Sequence, residues 1–187
     1  MDSVVVHGHW VSLRELRAED LPAFIRVHTD PVITKYLGFD CMDIAQAVAA
    51  FGNCLRWRAA QPRRRYLLAI TARGDDTMAG VIGLLVEDFG SNAMLTGLAT
   101  LPDTPVHGRT VEAARLLVAF GFGQLGLNRI WAGRRHDHER MHHFLIRCGL
   151  RQEAYLRQLF RTQGKWHDVV TYAAVSAEWA PPQSLSA

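Results

Sequence analysis

Between Tyr66 and Leu101 three apolar runs follow one another with only turn residues between them, and this constrains the fold more than any other feature of the chain. Tyr66 to Ala72, Met78 to Glu87 and Ala93 to Leu101 each have strand length, and Gly74-Asp75-Asp76 and Gly90-Ser91-Asn92 are turn clusters. Strands joined this tightly must pair antiparallel, because a parallel pair needs a crossover of about a dozen residues or more. The pattern then changes. Pro102 to His107 is a loop with two prolines, and from Gly108 the residues Ala114, Leu117, Val118, Gly121 and Leu125 recur at helical spacing until Gly126. Asn128 to Gly133 reads as a strand. His138 to Arg147 reads as a helix closed by Gly149, and Arg151 to Arg161 and Lys165 to Val175 read as two strands joined at Gln163-Gly164.

Upstream of the three runs, Val4 to Arg17 reads as one strand-like stretch. Asp20 caps a helix carrying Leu21, Phe24, Ile25 and His28, and Asp30-Pro31 opens a short helix through Leu37. Asp43 caps a longer helix with an apolar stripe of Ile44, Ala47, Val48, Phe51 and Leu55, broken by the basic run before Tyr66. The order predicts an α/β (α+β) fold, a mixed, mostly antiparallel, twisted sheet flanked by helices on both faces. A single domain over residues 1–180 is expected, with a flexible tail over 181–187.

Length and composition agree: 187 residues suffice for one well-cored domain, and 49% hydrophobic with 21% charged residues excludes disordered and fibrous classes. Cys41, Cys54 and Cys148 have neither disulfide-framework nor zinc spacing, so a reducing, cytoplasmic setting is expected. No apolar run reaches about 18 residues and the first residues do not read as a signal peptide, so no membrane partner is expected. Only Lys35 and Lys165 are lysines. The arginine skew suits bidentate contact with phosphate or carboxylate, and a genome bias towards arginine codons explains it equally well. Arg63-Arg64-Arg65 reads as a solvated surface; with no interleaved aromatics and a net charge of +3, nucleic acid is not an expected partner.

Several phrases resemble the GNAT superfamily of acyl-CoA-dependent N-acyltransferases, and most closely its ribosomal-protein N-terminal acetyltransferase branch. They are Thr29-Asp30-Pro31 through Phe39, Gly80-Val81-Ile82-Gly83-Leu84, Phe120 through Ile130, Cys148-Gly149-Leu150-Arg151, and Gly164 through Tyr172. The resemblance implies a GNAT-like domain that transfers an acetyl group from acetyl-CoA to a primary amine of a small molecule or peptide; a homodimer stays open. It implies that the loop Val106, His107, Gly108, Arg109, Thr110 and Val111 holds the pyrophosphate. The backbone of Leu98, Thr100 and Leu101 would align pantetheine and polarise the thioester.

The family's usual phosphate turn has Gln or Arg, two residues, Gly, one residue, then Gly or Ala. Here only Gly108 remains; Pro105, Val106 and Thr110 replace the other marks, and His107 and Arg109 offer side-chain charge instead. The helix Asn and Ser/Tyr of the family correspond to His138 and Met141. His138 is the side chain placed near the thiol. The strand Glu has no counterpart near Met94 to Leu98; Asp88 is the nearest carboxylate considered for a catalytic role. These departures sustain an alternative: a GNAT fold that has lost ordinary acetyl-CoA use and takes another acyl carrier, catalyses a different reaction or only binds a ligand. His138-Glu139-Arg140-Met141-His142 matches H-E-x-x-H, but Arg140 within it and the lack of an evident third ligand argue against a zinc site, and no metal is expected.

Overall fold

The computed structural model describes residues 3–89 and 91–180. Eight strands form one sheet in the order β1-β2-β3-β4-β5-β6-β8-β7. They are β1 (Val5–His7), β2 (Val11–Glu15), β3 (Arg65–Ala72), β4 (Met78–Val86), β5 (Asn92–Thr100), β6 (Arg129–Arg135), β7 (Arg151–Thr162) and β8 (Lys165–Val175). The helices are α1 (Leu21–Thr29), α2 (Pro31–Thr34), α3 (Ile44–Trp57), α4 (Thr110–Gly123) and α5 (Glu139–Arg147). The expected tail 181–187, and Gly90 of the expected turn, lie outside the described residues.

The three apolar runs form the antiparallel ladder β3–β4–β5 that their short connections require. The stretch expected as one strand from Val4 to Arg17 is instead a hairpin. Gly8 N–H bonds to Val11 C=O at 2.8 Å, and the turn is clamped from 100 residues away by Glu112, whose carboxylate accepts the Trp10 N–H at 3.1 Å. A Cβ on Gly8 would stand 2.6 Å from that carboxylate, so the close approach needs glycine. Asp20 is not the side-chain cap expected of α1. It forms a buried bidentate pair with Arg14 at 2.7 and 2.8 Å and accepts the Arg17 N–H. Asp43 does cap α3, reciprocally with Gln46.

Strand alternation gives the sheet two buried faces. Leu13, Leu68, Ile82, Leu84, Leu95, Ile130 and Tyr172 pack beneath α4 and α5. Ala69, Val81 and Ala99 pack beneath α1 and α3 with Phe24 and Phe51. Among the described residues no helix is long and apolar enough to cross a membrane.

Candidate functional site

β5 and β6 run parallel, and they pair only over Asn92–Met94 against Arg129–Trp131. Beyond Met94 they part. The cause lies in β5: its ladder with β4 shifts register between Val81 and Gly83, opposite Gly97 and Leu98, and Gly97 has φ +67°. A bulge of this kind bends the strand and breaks the ladder locally. The parted strands leave a cleft of about 220 Å³ through the sheet, reaching from Met141 and Phe144 on the α5 side to Trp131 and Phe160 on the other, with His138 and Tyr36 together on its wall.

Two expected site residues meet in this cleft, Leu98 and His138. His138 sits one residue ahead of α5 and stacks flat on Tyr36, ring centroids 4.0 Å apart. Burial lowers its pKa, with Arg134, Arg135 and Arg140 adding to the effect against Asp137. The imidazole is therefore neutral near pH 7 and suited to accepting a proton. The stack belongs to a strap: Arg135 donates to Lys35 C=O at 3.2 Å, and Asp40 accepts the Gln163 N–H at 2.7 Å, so the segment after α2 is held across the cleft mouth.

The other expected residues are distributed differently. Leu101 is buried on the α1–α3 side and its N–H is committed to Ala79 C=O at 2.9 Å, which removes it as a donor to pantetheine; Thr100 stays in register with Gly80. Asp88, in the bend after β4, is exposed, pairs with Arg64 and is not among the residues lining the cleft. Glu87, one residue earlier, faces the cleft side and accepts the Trp131 indole N–H at 2.8 Å. Sequence reasoning passed over Glu87, although the alternation that sends Val86 into the α4 core also sends Glu87 to the opposite face.

The phosphate turn keeps part of its design. Val106 is fully buried, its side chain turned into the core. His107 N–H is used by Thr104 C=O and Arg109 N–H by Val106 C=O. Gly108 has φ +80° with open space around it, so its glycine serves the backbone conformation. Among the described residues the N–H groups of Thr110 and Val111, in the first turn of α4, have no partner. Arg109 lies 3.9 Å over the Trp10 ring, in a groove of about 700 Å³ that also contains Arg115 and Arg147. Unpartnered helix N-terminal donors beside arginines fit an anionic group such as a pyrophosphate.

The H-E-x-x-H residues go to separate partners. His138 stacks on Tyr36, Glu139 lies 3.3 Å from Arg134, and His142 Nδ1 is 2.7 Å from the Tyr172 hydroxyl. Among the described residues no cluster of His, Cys, Asp and Glu is placed to hold a metal. The Tyr172 hydroxyl also accepts from Arg134 Nε at 3.0 Å and meets Gln152 at 3.2 Å, which ties β6, α5, β7 and β8 behind the cleft.

Residues 11–151 match the Acetyltransferase (GNAT) domain family. An uncharacterized N-acetyltransferase of Bacillus subtilis (strain 168), YoaA, is 27% identical over 166 residues, 87% of this chain and 92% of that one. Among solved structures, Mycobacterium smegmatis RimJ in complex with CoA-disulfide is similar with a TM-score of 0.80 at 21% identity, over 98% of this chain and 93% of that one. Spermidine N-acetyltransferase from Vibrio cholerae, in complex with CoA and spermine, is similar with a TM-score of 0.77 at 15% identity, over 90% and 96%.

Proposed function

The chain belongs to the GNAT acetyltransferase family, and from that premise we propose that it transfers an acetyl group from acetyl-CoA to a primary amine of a small molecule or peptide. The observation that carries the reading is the cleft opened between β5 and β6 by the bulge at Gly97 and Leu98, with His138 on its wall. The two CoA-bound structures of like fold support an acyl-CoA co-substrate.

In this reading the first turn of α4 holds the pyrophosphate through the Thr110 and Val111 N–H groups, with Arg109 released from Trp10 to add charge. The β5 backbone at the bulge donates to the thioester oxygen as it gains negative charge. The amine nitrogen attacks the carbonyl carbon, the carbon–sulfur bond breaks, and one proton passes from the amine to the thiolate. His138, held neutral by its burial, is the group that takes that proton and returns it.

Calorimetric titration tests the reading. Acetyl-CoA and CoA are expected to bind in the micromolar range, and Gly108→Trp to weaken both. Absence of binding at millimolar acetyl-CoA would refute it in favour of a GNAT fold with another use. A His138→Ala variant is expected to lower kcat and flatten its pH profile; unchanged turnover across pH would remove His138 from the mechanism.

A further inference from the structure

We propose that the acceptor is a monoamine carried on a compact apolar body, such as an arylalkylamine, and that the Trp131 wall braced by Glu87 selects it. The proposal rests on the acetyl-transfer reading and deepens it by naming the acceptor class.

The argument starts from the half of the cleft on the α1–α3 side. Strand alternation turns Met94 and Trp131 to this side, opposite Leu95 and Ile130, which lie in the α4 core. Val169 joins them, its Cγ1 being 3.0 Å from where a Cβ on Gly133 would stand. The strap contributes Tyr36, and the β7–β8 hairpin contributes Leu159 and Phe160. Three rings and three aliphatic chains thus enclose the space an acceptor would enter. The whole cleft is about 220 Å³, below the usual range for ligand sites, so its occupant is small.

Charge points the same way. A polyamine keeps at least one ammonium away from the reacting nitrogen, and a buried ammonium needs a carboxylate. Among the described residues no Asp or Glu lines the cleft, whereas Arg134 and Arg135 do. Of the carboxylates around it, Asp137 is neutralised in a bidentate pair with Arg135 and Glu139 lies 3.3 Å from Arg134, while Glu87, Asp40 and Asp168, outside the lining, accept from neutral donors.

Glu87 acts through another residue and is a positioning residue. Its bond to the indole N–H fixes the orientation of the Trp131 ring, which lines the cleft. Replacement by Gln keeps an acceptor for the N–H, whereas replacement by Leu removes it.

The test uses the full chain and three amines: 2-phenylethylamine, spermidine and a seryl-alanyl peptide amide. Their binding is measured by calorimetry without acetyl-CoA, so that the acceptor site is read independently of transfer, and acetyl-CoA is titrated separately. 2-Phenylethylamine is expected to bind at least tenfold more tightly than either rival. Glu87→Leu is expected to raise its Kd and KM about tenfold with kcat and acetyl-CoA binding unchanged, and Glu87→Gln to restore both. Leu159 is half exposed, so Leu159→Glu is tolerated by the fold; it is expected to improve spermidine binding about tenfold and to weaken 2-phenylethylamine. Equal or tighter binding of spermidine or the peptide by the unaltered protein, or Glu87→Leu indistinguishable from Glu87→Gln, would overturn the proposal. Failure of acetyl-CoA to bind would instead overturn the transfer reading, whatever the amines do.

Discussion

Replacing Gly97 by Ala tests whether the open cleft depends on a backbone state that only glycine adopts freely. Gly97 has φ +67°, and a Cβ there would meet only Leu67 Cδ1, at 3.1 Å. That methyl ends a flexible side chain and can yield, so the cost comes chiefly from the left-handed backbone, about 1–2 kcal/mol for a residue with a Cβ. For a chain of this size that corresponds to a fall in Tm of about 2–8 °C. Gly52 is the matched control. It lies inside α3, where a Cβ would make ordinary contact with Arg56 Nη1 at 3.7 Å, so Gly52→Ala is expected to stabilise by about 0.5–1 kcal/mol. The same chemical change should therefore have opposite signs at the two sites in urea denaturation. Acetyl transfer adds a second readout. If the Ala variant eases its strain by regularising the strand, the donor aimed at the thioester oxygen is displaced, and losing one such donor costs roughly a hundredfold or more in kcat. A Gly97→Ala protein as stable as the parent and fully active would refute the role given to the bulge.

Other expectations rest on buried polar groups. His28 is enclosed between Phe24 and Phe39, its Nδ1 bonded to Phe24 C=O at 2.9 Å, and burial lowers its pKa as it does that of His138. A lowered pKa means that the unfolded chain binds more protons than the folded one, so stability from these groups is full above the unfolded His value and is lost as pH falls below it. Denaturation midpoints should therefore drop between pH 7 and pH 5, and less so in His28→Gln. Glu15 and Arg63 form a buried bidentate pair at 2.7 and 3.0 Å. Glu15→Gln leaves a buried guanidinium uncompensated and should cost about 3–5 kcal/mol, read by urea denaturation at neutral pH.

The fold was legible where short-range patterns decide it. The β3–β4–β5 meander follows from connections too short for anything else, and the switch to helical spacing after Gly108 marks the only parallel neighbour pair among the described residues, β5 and β6. The hairpin of β1 and β2 was hidden because its turn is held by Glu112, and no local signal in Gly8 to Trp10 announces a partner in α4. Leu101 was read as a backbone contact to pantetheine from the resemblance alone; its N–H instead bonds to Ala79 C=O at 2.9 Å, a ladder commitment the resemblance carries no information on.

The case of Asp88 and Glu87 shows what the sequence held but did not disclose unaided. Both carboxylates directly follow β4, and nothing in their spacing favours one. The choice comes from parity counted along β4. Ile82, Leu84 and Val86 belong to the α4 side, so Glu87, the next residue, turns to the opposite face, where it meets Trp131. The count needs to know which side α4 covers, and that is set by the crossover between β5 and β6. The same crossover fixes Trp131 on the cleft side and thereby gives Glu87 its partner. One topological fact therefore decides which carboxylate meets the Trp131 indole. The local bulge at Gly97 decides that there is a cleft for that ring to line.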